Sequence, residues 1–173
     1  MQVRPAEPDD YPGIDAVLKS AFPTASEARL VAALRAAEAD TLELVAEDHG
    51  QIVATALFSP VEAEIAGSEP LYGLGLAPVA VLPGRQRQGI GQAVVEAGLD
   101  FVRTLGAPFC VVLGEPAYYG RFGFEPAARS DWTWSADPEG KTGDAFQVQG
   151  LQGKTTSLPA PAVAHYHPAF DGV

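Results

Sequence analysis

The sequence predicts a single α/β domain of the α+β kind spanning residues 1–173, on three observations. Stretches with helical spacing alternate with short apolar, strand-like runs. One continuous apolar run, Leu71 to Leu82, feeds a glycine-bearing turn and then an amphipathic helix. The composition is 47% hydrophobic and 19% charged over 173 residues, enough for one core and too apolar for a disordered chain.

The elements follow in order. Gln2–Arg4 begins a short strand, and Pro8-Asp9-Asp10 opens a helix carrying Ile14, Val17, Leu18 and Phe22 at helical spacing until Pro23 stops it. Ser26 is placed to cap a second helix with the stripe Leu30, Val31, Leu34 and Ala37. Residues 42–46 and 52–58 read as strands joined by a tight turn at His49-Gly50, and 61–65 alternates as a separate half-exposed strand. Leu71–Leu82 reads as a central strand, although Pro78 cannot donate to a ladder and so marks a bulge or an end of pairing. The turn Pro83 to Gly91 leads into a helix with an inner face of Val94, Val95, Leu99, Val102 and Leu105, ended by Gly106. Phe109–Leu113 is a buried strand and Pro116–Phe122 a short helix; strands are expected at 146–151 and 163–166.

Charge and cysteine content exclude several function classes. The net charge of −11 disfavours phosphate backbones and anionic lipid, so neither nucleic acid nor membrane is an expected partner. The acidity is uneven: residues 1–69 carry a balance of −9, and residues 70–128 are neutral with Arg85 and Arg87 beside the glycine-bearing turn. The single cysteine, Cys110, excludes an internal disulfide and a cysteine-based zinc cluster, and no metal is expected. No run of about 18 apolar residues occurs, and the N-terminal stretch has no apolar signal core, so a cytoplasmic protein is expected. Cys110, among apolar neighbours in a strand, reads as an inert buried thiol.

The turn carries the clearest chemistry. A strand running through glycines into a helix aims several backbone N–H groups at one point, at the positive end of the helix dipole, which suits a phosphate. Gly89 and Gly91 allow close approach because they lack Cβ. The Walker pattern fails, since Gln92-Ala93 stands where Lys-Ser or Lys-Thr is needed, and the dinucleotide fingerprint fails at Val94. A plain strand-to-helix connection would also account for two glycines.

Gln86-Arg87-Gln88-Gly89-Ile90-Gly91 matches the (Arg/Gln)-x-x-Gly-x-(Gly/Ala) signature of the GCN5-related N-acetyltransferase (GNAT) family, which this sequence resembles. Tyr118-Tyr119-Gly120-Arg121-Phe122-Gly123-Phe124 is similar to the family's second marker, a tyrosine four residues before Gly-Phe. The stretch Leu113 to Tyr119 and the ending Tyr166-His167-Pro168-Ala169-Phe170 resemble a bacterial subgroup of acetyltransferases. The resemblance is strongest over 71–126 and thin over 127–160. It implies a GNAT-like fold: a mixed, mostly antiparallel twisted sheet splayed between strands 4 and 5, about four helices, and extra C-terminal strands.

It also implies acetyl-CoA as co-substrate and transfer of its acetyl group to an amine of a small molecule or peptide, by direct attack in a ternary complex. On this resemblance the amides of Gln86, Arg87, Gln88, Gly89, Ile90 and Gly91 hold the pyrophosphate, with Arg85 and Arg87 screening phosphate charge. Val79, Ala80 and Val81 lie along the pantetheine, with an amide of Ala80 or Val81 as oxyanion donor. Tyr119 occupies the position of the acid that protonates the departing thiolate. Making a free amine from an alkyl ammonium of pKa about 10.4 costs roughly 4–5 kcal/mol at neutral pH, so a general base is needed. Glu64 and Glu115 are candidates, each also readable as an ordinary solvated glutamate. A non-catalytic acyl-CoA-binding or regulatory domain is the alternative, and a nucleotide-phosphate binder a third. Exposed sheet edges leave a homodimer open. His165 and His167 share one face of a strand-like tail, too few for a metal site, and Trp132 and Trp134 either line an acceptor pocket or seal the tail.

Overall fold

The computed structural model describes residues 1–39, 41–153 and 157–171. Its strands are β1 (Gln2–Pro5), β2 (Leu42–Asp48), β3 (Gln51–Ile65), β4 (Leu71–Val81), β5 (Phe109–Leu113), β6 (Glu125–Pro126), β7 (Trp132–Trp134), β8 (Phe146–Gly150) and β9 (Ala162–Tyr166), hydrogen-bonded in the order β1-β2-β3-β4-β5-β8-β6, with β9 paired to β3 and β7 to β9. Two compact units divide the chain: Met1–Ser59, Ala77–Phe101 and the segment from Pro168 form one, Pro60–Leu76 and Val102–His167 the other. The strands β3 (Gln51–Ile65) and β4 (Leu71–Val81) and the helix α3 (Ile90–Thr104) run through both.

In the first unit β1 (Gln2–Pro5) lies antiparallel to β2 (Leu42–Asp48), and β2 antiparallel to the first part of β3. The hairpin turns at His49 (φ 51°) and Gly50 (φ 78°), two left-handed residues as a tight hairpin requires. Helices α1 (Tyr11–Ala21) and α2 (Ser26–Ala36) bury Ile14, Val17, Leu18, Leu30, Val31 and Leu34 against Val45, Leu57 and Ala80. Ser26 does not cap α2. It is the first helical residue, Ala25 holds the cap position, and the Ser26 hydroxyl instead accepts from Thr24 and Arg29. In α3, Gly98 leaves room for the ring of Phe58, which is wholly buried; a Cβ there would collide with the ring edge. Gly98→Ala is therefore expected to cost about 1–3 kcal/mol by overpacking. Denaturant titration with an unchanged midpoint would refute this.

In the second unit the later part of β3 pairs antiparallel with β9 (Ala162–Tyr166). The 61–65 stretch is thus no separate strand: β3 runs through Pro60 without interruption. The start of β4 pairs in parallel with β5 (Phe109–Leu113), at Leu74↔Cys110 and Gly75↔Val111 alone. Pairing ends at Gly75, ahead of Pro78, which is the splay expected between strands 4 and 5. Beyond β5 come the antiparallel strands β8 (Phe146–Gly150) and β6 (Glu125–Pro126), and β7 (Trp132–Trp134) joins β9 in parallel. A core of Val61, Ala63, Phe109, Val111, Trp132, Phe146, Val148 and Ala164 holds this unit together.

The helix α4 (Pro116–Tyr119) continues into a 3-10 turn at Gly120–Phe122, giving four α-helices in all among the described residues. Trp132 seals the tail: it is buried, crosses Phe109 edge-on and donates its indole N–H to Pro159 O at 2.9 Å. Trp134 stacks on Phe146 and meets Tyr166 edge to face. His165 lies on β9, whereas His167 falls beyond its end, so the two do not share a strand face.

Candidate active site

The glycine-bearing turn takes the form expected of an anion site. A 3-10 turn at Pro83–Arg85 is followed by Arg87 and Gly89, both at positive φ (60° and 81°), and α3 starts at Ile90. Among the described residues, nothing accepts a hydrogen bond from the amides of Arg87, Gln88, Gly89, Ile90 or Gly91. The last two belong to the first turn of a helix, where amides have no intrahelical acceptor. Side chains brace the turn from within: Gln86 Nε2 donates to Val81 O at 3.2 Å and Gln88 Nε2 to Gly84 O at 3.4 Å. A Cβ at Gly89 would meet no atom within 4 Å, so the space before this backbone is open.

Arg85 and Arg87, taken together by their position in sequence, differ in the structure. Arg85 donates to Asp48 Oδ2 at 2.8 Å, and this guanidinium is the main reason the Asp48 carboxyl is held below the usual carboxylate range. Arg85 thus ties the turn to the end of β2. Arg87 is exposed and forms no hydrogen bond or ion pair among the described residues, which leaves its charge available to a ligand.

The β4 segment gives the next three residues distinct roles. Leu82 donates its N–H to Val53 O on β3 at 2.9 Å. Backbone direction alternates along a strand, so Ala80 shares that edge, while the amides of Val79 and Val81 face the opposite one. The Ala80 side chain is buried among the α1 and α2 residues.

Tyr119 ends α4 in an aromatic nest. Its ring meets Tyr118 edge to face at 5.0 Å and Phe124 at 6.0 Å, with Phe122 at 6.3 Å. Burial, helped by the neighbouring Tyr118 and Cys110, pushes its phenol up to about 12, so it stays protonated wherever an enzyme works. Its hydroxyl has no hydrogen-bond partner among the described residues. The ring lies directly on Gly114, where any side chain would collide with it.

The carboxylate candidates are less free. Glu115 is the N-cap of α4 and accepts from Ala117 N at 3.3 Å; its carbonyl accepts from Tyr118 and Tyr119 at 3.0 Å. Glu64 stands on the exposed face of β3 with His165 Nε2 at 3.1 Å. Some acids of residues 1–69 are engaged by its few bases: Asp10 and Glu47 hold Arg4, Glu43 holds Arg35, and Asp15 holds Lys19, and the segment stays strongly acidic. Cys110 is buried and burial pushes its thiol well up, so it is no nucleophile. No cluster of three or more metal-ligating side chains occurs among the described residues, and no helix is long and apolar enough to cross a membrane.

Two residues escaped the sequence reading. The Tyr166 ring and the Val61 side chain both lie against Gly75, and burial pushes the Tyr166 phenol upward. Gln147 is fully buried and bonds the carbonyl of Gly114. Phe146-Gln147-Val148-Gln149 reads as a strand with polar residues on a solvated face, so no local signal separates Gln147 from a surface glutamine.

Comparison with known proteins identifies the family. The family model described as an acetyltransferase (GNAT) domain matches residues 2–127. An uncharacterized N-acetyltransferase of Escherichia coli K12, YhbS, is 38% identical over 174 residues, 99% of each chain. The crystal structure of E. coli YhbS in complex with CoA aligns with a TM-score of 0.87 at 38% identity, over 98% of this chain and 91% of that one. A GNAT family acetyltransferase from Brucella melitensis in complex with acetyl-CoA aligns with a TM-score of 0.74 at 36% identity, over 98% and 97% of the two chains. With the family model matching most of its length and a relative 38% identical over 99% of each chain, the chain belongs to the GNAT family of acetyltransferases.

Proposed function

We propose that this protein is a cytoplasmic, acetyl-CoA-dependent N-acetyltransferase that acetylates a primary amine of a small molecule or peptide by direct attack in a ternary complex. The observation that carries the reading is the row of unbonded amides from Arg87 to Gly91 at the start of α3, a donor set made for a diphosphate. Gln86 completes the turn by bracing it on Val81, and Arg87 adds a positive charge. The amides of Val79 and Val81 accommodate the pantetheine carbonyls. Of the two oxyanion donors considered, Val81 is favoured, because the Ala80 amide lies on the β3 edge. Tyr119 gives its proton to the departing thiolate, a role supported by its family position, its protonated state and its unpartnered hydroxyl. Glu64 and Glu115 remain the carboxylates through which a water could take the ammonium proton. One N-acetyltransferase domain spans residues 1–173, since β3, β4 and α3 belong to both compact units.

The test is release of CoA thiol from acetyl-CoA against a panel of polyamines, amino acids, aminoglycosides and peptide N-termini. Turnover with at least one amine is expected. Calorimetric binding of acetyl-CoA with no thiol released by any acceptor would overturn the catalytic reading in favour of an acyl-CoA-binding regulatory domain.

A further inference from the structure

Tyr119 is only as well placed as the turn that carries it. Its ring rests on the bare Cα of Gly114, so the position of that backbone sets the position of the ring. Regular pairing of β5 with β8 ends at Leu113↔Phe146, and Gly114 extends it by donating its N–H to Ala145 O at 2.9 Å. The Gly114 carbonyl lies beyond that ladder. Gln147, opposite Val112 and with no exposed surface, supplies the missing partner. Its amide nitrogen donates to Gly114 O at 3.1 Å and reaches Ala145 O at 3.4 Å, closing a ring of hydrogen bonds around the turn.

An amide so placed is costly unless fully bonded, and the Gln147 Oε1 atom is buried without a hydrogen-bond partner among the described residues. An apolar side chain of the same shape would avoid that cost. Packing alone therefore does not explain the residue, whereas its grip on Gly114 does.

We propose that Gln147 is the positioning residue of Tyr119: by holding the Gly114 carbonyl it fixes the backbone on which the phenol is seated. This rests on Tyr119 acting as the acid. Gln147 touches neither substrate in this scheme, and its effect should pass wholly through Tyr119.

A double-mutant cycle tests that. Gln147→Met, Tyr119→Phe and the double variant are compared by thiol release from acetyl-CoA, with the amine selected by the screen above and, separately, with water as acceptor. Gln147→Met should lower kcat about tenfold, leave KM for acetyl-CoA unchanged, and cost nothing further in the Tyr119→Phe background. An equal loss in both backgrounds would show a merely structural role and overturn the proposal, as would an unchanged kcat for Gln147→Met alone. If Tyr119→Phe is itself without effect, the acid role falls and this proposal with it. If Tyr119→Phe is slow and Gln147→Met is not, only the positioning role falls. Should Gln147→Met fail to fold, Gly114→Ala disturbs the same seat directly; it must show the same kcat loss and the same non-additivity with Tyr119→Phe.

Discussion

Gly89→Glu is expected to abolish donor binding. Gly89 sits at φ 81°, a conformation that costs a side-chain-bearing residue about 1–2 kcal/mol, and its Cα faces open space beside five unbonded amides. A carboxylate there would place a negative charge where the diphosphate belongs, and it would compete for the same amides. Calorimetry with CoA should show affinity lowered by about 100-fold or more, equivalent to roughly 2.7 kcal/mol. Gly89→Ala separates the causes, since it carries the backbone strain without the charge and should lose only about tenfold. A dissociation constant for Gly89→Glu within a few-fold of the parent protein would remove the turn from the donor site.

Tyr119→Phe is expected to lower kcat by about 100-fold and leave KM for acetyl-CoA unchanged, because a general acid acts on the leaving group in the transition state. Its phenol is pushed up to about 12, so the protonated form dominates throughout the working range. Raising the pH toward neutrality and beyond does not discharge this acid, and only near its raised pKa is the proton lost. The ratio of parent to variant kcat should therefore stay constant from about pH 6 to about pH 10, where an ordinary tyrosine would already be half ionised. A ratio that collapses near pH 8 would assign the acid to another group.

Where the chain's own chemistry decides the structure, the sequence was legible. The run Leu71–Leu82 can only be a strand covered by other elements, and the glycines after it can only be a turn opening a helix, so β4, the anion turn and α3 stand where patterning puts them. The spacing to Gly123-Phe124 singles out Tyr119, and the structure seats its ring on Gly114 at the end of α4. Other features depend on partners far along the chain. Residues 52–58 and 61–65 read as separate strands, yet β3 continues through Pro60 because β9 supplies a new neighbour from Val61 onward. Trp132–Trp134 forms a strand only because residues 162–164 offer an edge to pair with. Arg85 and Arg87 carry the same charge two residues apart, and only the distant Asp48 makes one of them structural. Gln147 is invisible for the same reason: its partner, Gly114, lies 33 residues away.

Recognition through the main chain has an evolutionary corollary. An amide cannot be deleted by exchanging a side chain, so the turn from Arg87 to Gly91 keeps its donors as long as its path is kept, and Gln88, bonded to Gly84, and the buried Ile90 help to keep it. Two kinds of change break it: a proline, which removes an N–H outright, and a bulky residue where the path runs left-handed. On the proposed function, lineages of such a protein are free to diversify toward new amines while inheriting an unaltered grip on the acyl carrier.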